Sequence, residues 1–497
     1  MAEGKGGPLM YVRLQLAYAL EFAIWGCWSY ALGSFGAKYG VGVGILYSAF
    51  AFGALFSPVV GPIADKKFAA QKVFAFMQTV CGLALLACGV ITKKFVTETV
   101  PESSVNPGAA WIAMMFIAGL MFMPSIPLLN AIVFKHIPNS KKSPLVFIFG
   151  TLGWIAVNLV LTHVFKGGVE VFYFVDGIIA IALAVYALTL PNTPPSGSSN
   201  NDPFGFKALG LFKRFDFALF IICATLVGIF GSNYYFALVG QCFPDKGVWN
   251  QYSEIIFMAA LAFAVAKIGL KWTLTLGLGA WGVRYLCFAQ GSDSLAVVGI
   301  LCHGLAYAFL YTAAYMYGDR VAPKEMKASV QALIAFLLLG VAQTLSGLAC
   351  DYALRANEIK SDAQPAAEAP AEASYFIAAP AFAQDASIDA IADEDPINAA
   401  EPVVEEAVEE AAADVANVVD AAATEAPADV EAAAEAEAPA EAEAAAKKGF
   451  HVWDKANQAK YNWKKIWGLP GVFCLIFALI FAVLGKEPKA ADEEAQA

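Results

Sequence analysis

Four ionisable side chains sit well inside long apolar stretches of this sequence: Glu21, Glu254, Arg284 and His303. An ionisable group inside a bilayer costs about 2.5–3.5 kcal/mol on insertion scales, so it tends to face a cavity or a partner and to mark a route for solutes or protons. Gln251 and Glu254 are three residues apart and share one helix face. Glu254 lies 13 residues before Lys267, about 20 Å along a helix at 1.5 Å per residue, which places it within the apolar slab. A carboxyl there is suited to taking up and releasing a proton as its access to water alternates. The competing reading is a packing carboxyl paired with Arg284 on the neighbouring span.

Two stripes of aromatic and polar residues accompany these groups. His303, Tyr307 and Tyr311 recur at i, i+4 and i+8, and Phe147, Thr151 and Trp154 form a similar face on an earlier run. Such stripes suit a flat heterocycle, with stacking from the rings and hydrogen bonds from Thr, Gln or Asn. They equally suit helix cores or lipid-facing surfaces. Further polar residues in the apolar runs are Gln78, Asn130, Asn158, Asn233 and Gln343. Gly61-Pro62-Ile63-Ala64-Asp65-Lys66-Lys67 lies between two apolar runs, where the glycine permits close helix approach and the acid with its cations could latch two bundles. An ordinary charged loop is the alternative, although the pattern resembles one found in the major facilitator superfamily. The nine cysteines lie in or beside apolar runs with no CxxC spacing and read as small core residues. No nucleophile–base pair, metal spacing or phosphate loop is readable, so no enzyme activity, metal, cofactor or nucleic-acid partner is expected.

The elements that must position these groups are membrane helices. Of 497 residues, 59% are hydrophobic and 15% charged, with mean hydropathy +0.59, against about 25% charged in soluble domains. Nearly the whole chain divides into runs of the length, about 20 residues, that spans a bilayer core. Twelve spans are expected, at 11–33, 42–64, 72–92, 109–133, 145–165, 171–191, 216–240, 249–267, 272–291, 295–317, 328–351 and 468–485. The first is too long and aromatic for a signal peptide and is read as an uncleaved helix. The side that carries both termini collects 18 Lys and Arg, and the short loops opposite hold 5, which makes the termini cytoplasmic by the positive-inside bias.

The fold class is therefore an all-α polytopic membrane protein, with twelve transmembrane helices in two six-helix bundles. An N-terminal bundle covers 1–191, and a Pro/Ser/Asn-rich cytoplasmic linker covers 192–215. The C-terminal bundle covers 216–352 and 450–486, and a cytoplasmic tail covers 487–497. Between spans eleven and twelve, 353–449 is an acidic Ala/Glu/Pro insertion on the outer side whose proline-spaced composition cannot bury a core; it is expected to be disordered, with 405–420 able to form a transient helix. Residues 361–446 hold 22 of the 43 acids and no Lys or Arg, so the rest of the chain carries a net +11. The sequence names no partner for this arm. Trp453, Tyr461, Trp463 and Trp467, interleaved with lysines, read as a headgroup-layer cluster. A six-plus-six body with a central linker is the build of a secondary transporter whose site lies between its halves.

Several segments together resemble the nucleoside:proton symporter family of the major facilitator superfamily. They are 20–28 with its Glu21, Trp25 and Trp28, Ala64-Asp65-Lys66 with Ala70-Gln71-Lys72-Val73, Met123-Pro124-Ser125 with Asn130, and Gly150-Thr151-Leu152-Gly153. Gln251-Tyr252-Ser253-Glu254, Ala280-Trp281 with Arg284-Tyr285, His303-Gly304 with Tyr307, and Lys327-Ala328-Ser329 with Gln331 continue the series. The resemblance spans the membrane body but not the arm. It implies an inner-membrane permease that exchanges access between the two sides, carries nucleosides and uses protons. By the same resemblance the substrate contacts fall to Thr151, Trp154, Asn233, Gln251, Glu254, His303 and Tyr307, proton coupling to Glu254, and gating to Gly61, Asp65 and Lys66. Two positions depart from the family pattern: Ala308 stands where span ten commonly has Asp, and Phe147 where span five can have Arg. Weak dependence on a pH gradient is the expectation that follows. A facilitator for another small polar solute and a transporter-derived sensor or scaffold are the alternative readings.

Overall fold

The computed structural model describes residues 8–39, 50–97, 108–137, 143–163, 169–195, 206–243, 247–359, 453 and 460–489. The membrane body is one compact unit; of a second unit, 358–427, only Glu358 and Ile359 are described. The acidic arm beyond them, including the helix-prone stretch 405–420, lies outside the described residues, and so do linker residues 196–205.

Among the described residues the secondary structure is helical apart from a single isolated bridge, and nine helices are long and apolar enough to cross a membrane. One of them, Gly247–Ala289, holds two expected spans: Gly269, at φ +78°, breaks the helix between them, a conformation only glycine adopts without strain. With Pro8–Tyr39, and with Ser57–Lys66 preceded by a helical stretch at 50–54, the helices are consistent with twelve spans. We number them α1 (Pro8–Tyr39), α2 (Ser57–Lys66), α3 (Ala70–Thr97), α4 (Gly108–His136), α5 (Pro144–His163) and α6 (Val169–Ala187). In the second half, α7 joins Phe215–Ile229 to Ser232–Cys242, and α8 and α9 are the parts of Gly247–Ala289 before and after Gly269. Asp293–Val321 is α10, Lys324–Ala356 is α11 and Trp463–Leu484 is α12. The linker region carries a short 3-10 helix at Phe206–Lys213, and α11 runs to Ala356, past the boundary read at 352.

In lipid there is little hydrophobic drive between helices, so close packing rests on small residues. A Cβ at Gly153 of α5 would lie 2.0 Å from the Ala19 carbonyl oxygen of α1, and one at Gly304 of α10 would lie 2.2 Å from the Ser253 carbonyl oxygen of α8. The two bundles meet where α5 packs on α8, and where α2 and α4 pack on α11. The aromatic cluster read as a headgroup anchor packs inward instead. Trp467 is fully buried against Tyr234, Tyr285 and Phe288, and Trp453 packs on Phe243 with ring centroids 4.5 Å apart. The lysines at 464 and 465 stay exposed while the rings fill the top of the second bundle.

Candidate functional site

A cavity of about 670 Å³ lies between the bundles, and its wall includes all seven residues read as substrate contacts. Thr151 and Trp154 come from α5, Asn233 from α7, Gln251 and Glu254 from α8, and His303 and Tyr307 from α10. The helical stripes are the cause: residues three or four apart on α5, α8 and α10 turn one face inward together. An adjoining chamber of about 440 Å³ continues both stripes through Phe147 and Tyr311, with Glu254 and Tyr307 on the wall of each.

Glu254 is the electrostatic centre of the wall and is 4% exposed. Thr151 Oγ1 donates to its Oε1 at 2.5 Å, a bond that crosses from the first bundle to the second. His303 Nε2 faces its Oε2 at 3.7 Å, beyond direct hydrogen-bond distance. Arg284 does not pair with Glu254, contrary to the packing alternative; its Nη1 lies 3.0 Å from His303 Nδ1, so the histidine stands between them. A guanidinium only donates. His303 Nδ1 therefore accepts, and the N–H of the neutral ring is on Nε2, directed at Glu254. Arg284 is itself fixed by Nε donating to the Gly299 carbonyl at 3.3 Å and by its guanidinium carbon 3.6 Å from the Tyr235 ring centroid.

The ring surfaces are also set in place. His303 stacks between Tyr235 and Tyr307, at centroid distances of 5.6 and 5.9 Å, and Trp154 meets Trp25 edge-on at 6.2 Å. Asn233 Nδ2 donates to the Gln343 carbonyl at 3.2 Å. Cavity residues that sequence reasoning did not assign are Phe22, Trp25, Trp28, Ser29, Phe236 and Gln343. Trp25 and Trp28 lie in the segment that carried the family resemblance, whereas Phe236 and Ser29 give no signal of their own in an apolar run. Ala308 lines neither chamber: it is fully buried and begins a π-helical turn, Ala308–Thr312.

The residues that the resemblance assigns to gating lie apart from the cavity. Asp65 accepts from Ser329 Oγ at 2.7 Å, from Ser329 N at 2.9 Å and from Ala328 N at 3.3 Å. These donors belong to the N-terminal turn of α11, where unpaired backbone N–H groups favour an anion. Gly61 makes the approach possible, since a Cβ there would lie 2.9 Å from the Ala328 carbonyl oxygen. Lys66 takes no part in this contact; its Nζ is buried without a hydrogen-bond partner among the described residues. These partners of Asp65 thus sit at a helix N-terminus, with the Lys135 ammonium acting on it electrostatically.

Two helical bundles with a cavity of aromatic and polar side chains between them define a secondary transporter of the major facilitator fold. The chain belongs to the nucleoside H+ symporter family, whose profile matches residues 9–355. It is 30% identical over 362 residues to the putative nucleoside transporter YegT of Escherichia coli (strain K12), covering 67% of this chain and 82% of that one. It is 26% identical over 384 residues to the xanthosine permease of the same organism, covering 69% and 88%. A crystal structure of the nucleoside transporter NupG superposes with a TM-score of 0.52 at 22% identity, covering 69% of this chain and 91% of that one. A bacterial homologue of the iron transporter ferroportin, in an outward-facing state, gives 0.54 at 12% identity, covering 69% and 92%, a likeness of fold alone.

Proposed function

We propose that this chain is a proton-linked nucleoside permease of the cytoplasmic membrane, with both termini inside and the substrate held between the bundles. The observation that carries the reading is the placement of Glu254 on the cavity wall, bonded by Thr151 from the opposite bundle. Sugar hydroxyls and base amides would bond Gln251, Glu254 and Asn233, and the base would lie against Trp154 and Tyr307. Substrate that bonds Glu254 Oε1 competes with Thr151 for that oxygen, so loading there weakens a contact between the bundles. Gaining or losing a proton at Glu254 changes whether the group only accepts or also donates. The Lys and Arg distribution supports the orientation, and in that orientation the Asp65–Ser329 contact is at the inner ends of the bundles. Release of substrate inward then requires that contact to part while the outer ends close.

Uptake of radiolabelled uridine and adenosine into vesicles tests the reading. Uptake should resist competition by sugars and rise with an imposed proton gradient. Glu254→Gln should lower accumulation about tenfold per unit of pH gradient, the value of one coupled proton, or about 1.4 kcal/mol, while nucleoside exchange persists. Wild-type protein that inserts normally yet moves no nucleoside would overturn the proposal.

A further inference from the structure

The first bundle holds a buried carboxyl on neither chamber wall. Glu21 of α1 has no exposed surface, and its partners are Gln78 of α3 and Ser125 of α4. Gln78 Nε2 donates to Glu21 Oε2 at 2.6 Å and to Ser125 Oγ at 2.9 Å, using both amide hydrogens. Ser125 Oγ lies 2.6 Å from Glu21 Oε1 and 2.6 Å from the Phe122 carbonyl oxygen. A hydroxyl has one hydrogen and two lone pairs. With Glu21 ionised, Ser125 satisfies one of the two acceptors and leaves the other oxygen pair in contact with no proton between. With a proton on Glu21 Oε1, that proton goes to the free lone pair of Ser125, Ser125 donates to Phe122, and every contact carries one hydrogen.

The rest of the surroundings agree with a neutral acid. The titratable neighbours are Tyr18, one turn back on α1, and Cys81 on α3, and no cation pairs with Glu21 among the described residues. Tyr18 is committed elsewhere, its hydroxyl donating to Asn130 Oδ1 of α4 at 2.7 Å. A glutamine at position 21 would offer similar shape and donors, so what the acid adds is the capacity to release a proton. Movement could trigger the release: Pro124 and Pro127 lie inside α4 on either side of Ser125, each removing a backbone N–H donor from the helix, and the neighbouring Phe22 lines both chambers.

We propose that Glu21 is a second proton site of the transport cycle, carried on the first bundle and loaded in the conformation seen here. The proposal rests on the permease reading and replaces the weak coupling expected from Ala308, since the acid missing from α10 is matched by one on α1. Two measurements on full-length protein in lipid nanodiscs and vesicles test it. Infrared spectroscopy should show a protonated-carboxyl C=O band that Glu21→Gln removes, Glu254→Gln retains and Ser125→Ala shifts. Under an imposed gradient, Glu21→Gln should lower nucleoside accumulation about tenfold per pH unit, one proton's worth, with exchange intact. Wild-type transport with no band lost in Glu21→Gln, or with accumulation unchanged in that variant, overturns this proposal alone. Absence of nucleoside flux in the wild type overturns the permease reading and this proposal with it.

Discussion

At the scale of the residue, the groups that sequence reading singled out are those whose presence in lipid is expensive. Glu254 and His303 were legible for that reason, but their relation was not, because three-residue spacing says nothing about which neighbour on another helix intervenes. The structure puts His303 between Glu254 and Arg284, which makes Arg284 the residue that sets the histidine tautomer. Arg284→Lys keeps the charge and loses the planar face that lies on Tyr235. It should lower the melting free energy by about 1–2 kcal/mol and shift the ring ¹⁵N resonances of His303 toward a mixture of tautomers. The chain has only four histidines, so that assignment is tractable; unchanged ¹⁵N shifts would remove Arg284 from this role. Asp176 of α6 escaped the reading although the same insertion cost applies to it. It is fully buried, and neither carboxyl oxygen has a hydrogen-bond partner among the described residues. Asp176→Leu should therefore raise thermal stability by about 1–3 kcal/mol, the cost of an unsatisfied buried polar group, and a fall would reveal a partner that the carboxyl needs.

At the scale of the element, span positions followed from run length and hydropathy, which is why most boundaries agree within a few residues. Breaks inside helices were not legible. Gly231 between the two parts of α7, the π turns Ala308–Thr312 and Phe336–Val341, and the Gly269 break depend on tertiary contacts that no periodicity reports. A Cβ at Gly231, for example, would lie 2.4 Å from Tyr311 Oη, so the break in α7 is fitted to the π turn of α10. Ala308 begins that turn away from both chambers, and Ala308→Asp should bury an uncompensated charge and destabilise the fold by about 3 kcal/mol or more instead of restoring a coupling site. A variant that melts normally and gains gradient dependence would contradict this placement. Two glycines give a sharper comparison. Gly153→Ala must push α1 from α5 and should cost about 1–3 kcal/mol, whereas a Cβ at Gly279 has no neighbour nearer than 3.9 Å. Gly279→Ala should be neutral or gain up to about 1 kcal/mol from helix propensity. Melting curves of the two variants in one detergent decide the matter, and equal destabilisation would mean the contact at Gly153 is not close.

At the scale of the whole molecule, the two-bundle plan was legible because a Pro/Ser/Asn stretch divides twelve apolar runs, while the way the bundles hold together was legible only in part. Asp65 was identified and its partners were not, since hydrogen bonds to the first turn of α11 leave no mark on the loop itself. The acidic arm presents the reverse case, with a composition plain in sequence and a consequence supplied by its flanks. Asn462 N donates to the Asn357 carbonyl at 2.9 Å, so the chain leaves α11 and returns to α12 at adjacent points. Trp453 reinforces the return by packing on Phe243 and donating its backbone N–H to Asp293 Oδ1 at 3.1 Å. Because these ties lie outside 361–446, removing that stretch and joining the ends with a short Gly/Ser segment asks for no movement of either helix. Loop-closure entropy changes by only about 0.6 kcal/mol for each halving of length, and in the favourable direction. The deletion variant should insert, melt within about 1–2 kcal/mol of the intact chain and keep its nucleoside uptake. Normal insertion and melting with transport abolished would give the arm a part in the cycle itself, and a collapse in melting would show that the flanking ties hold only while the arm is present.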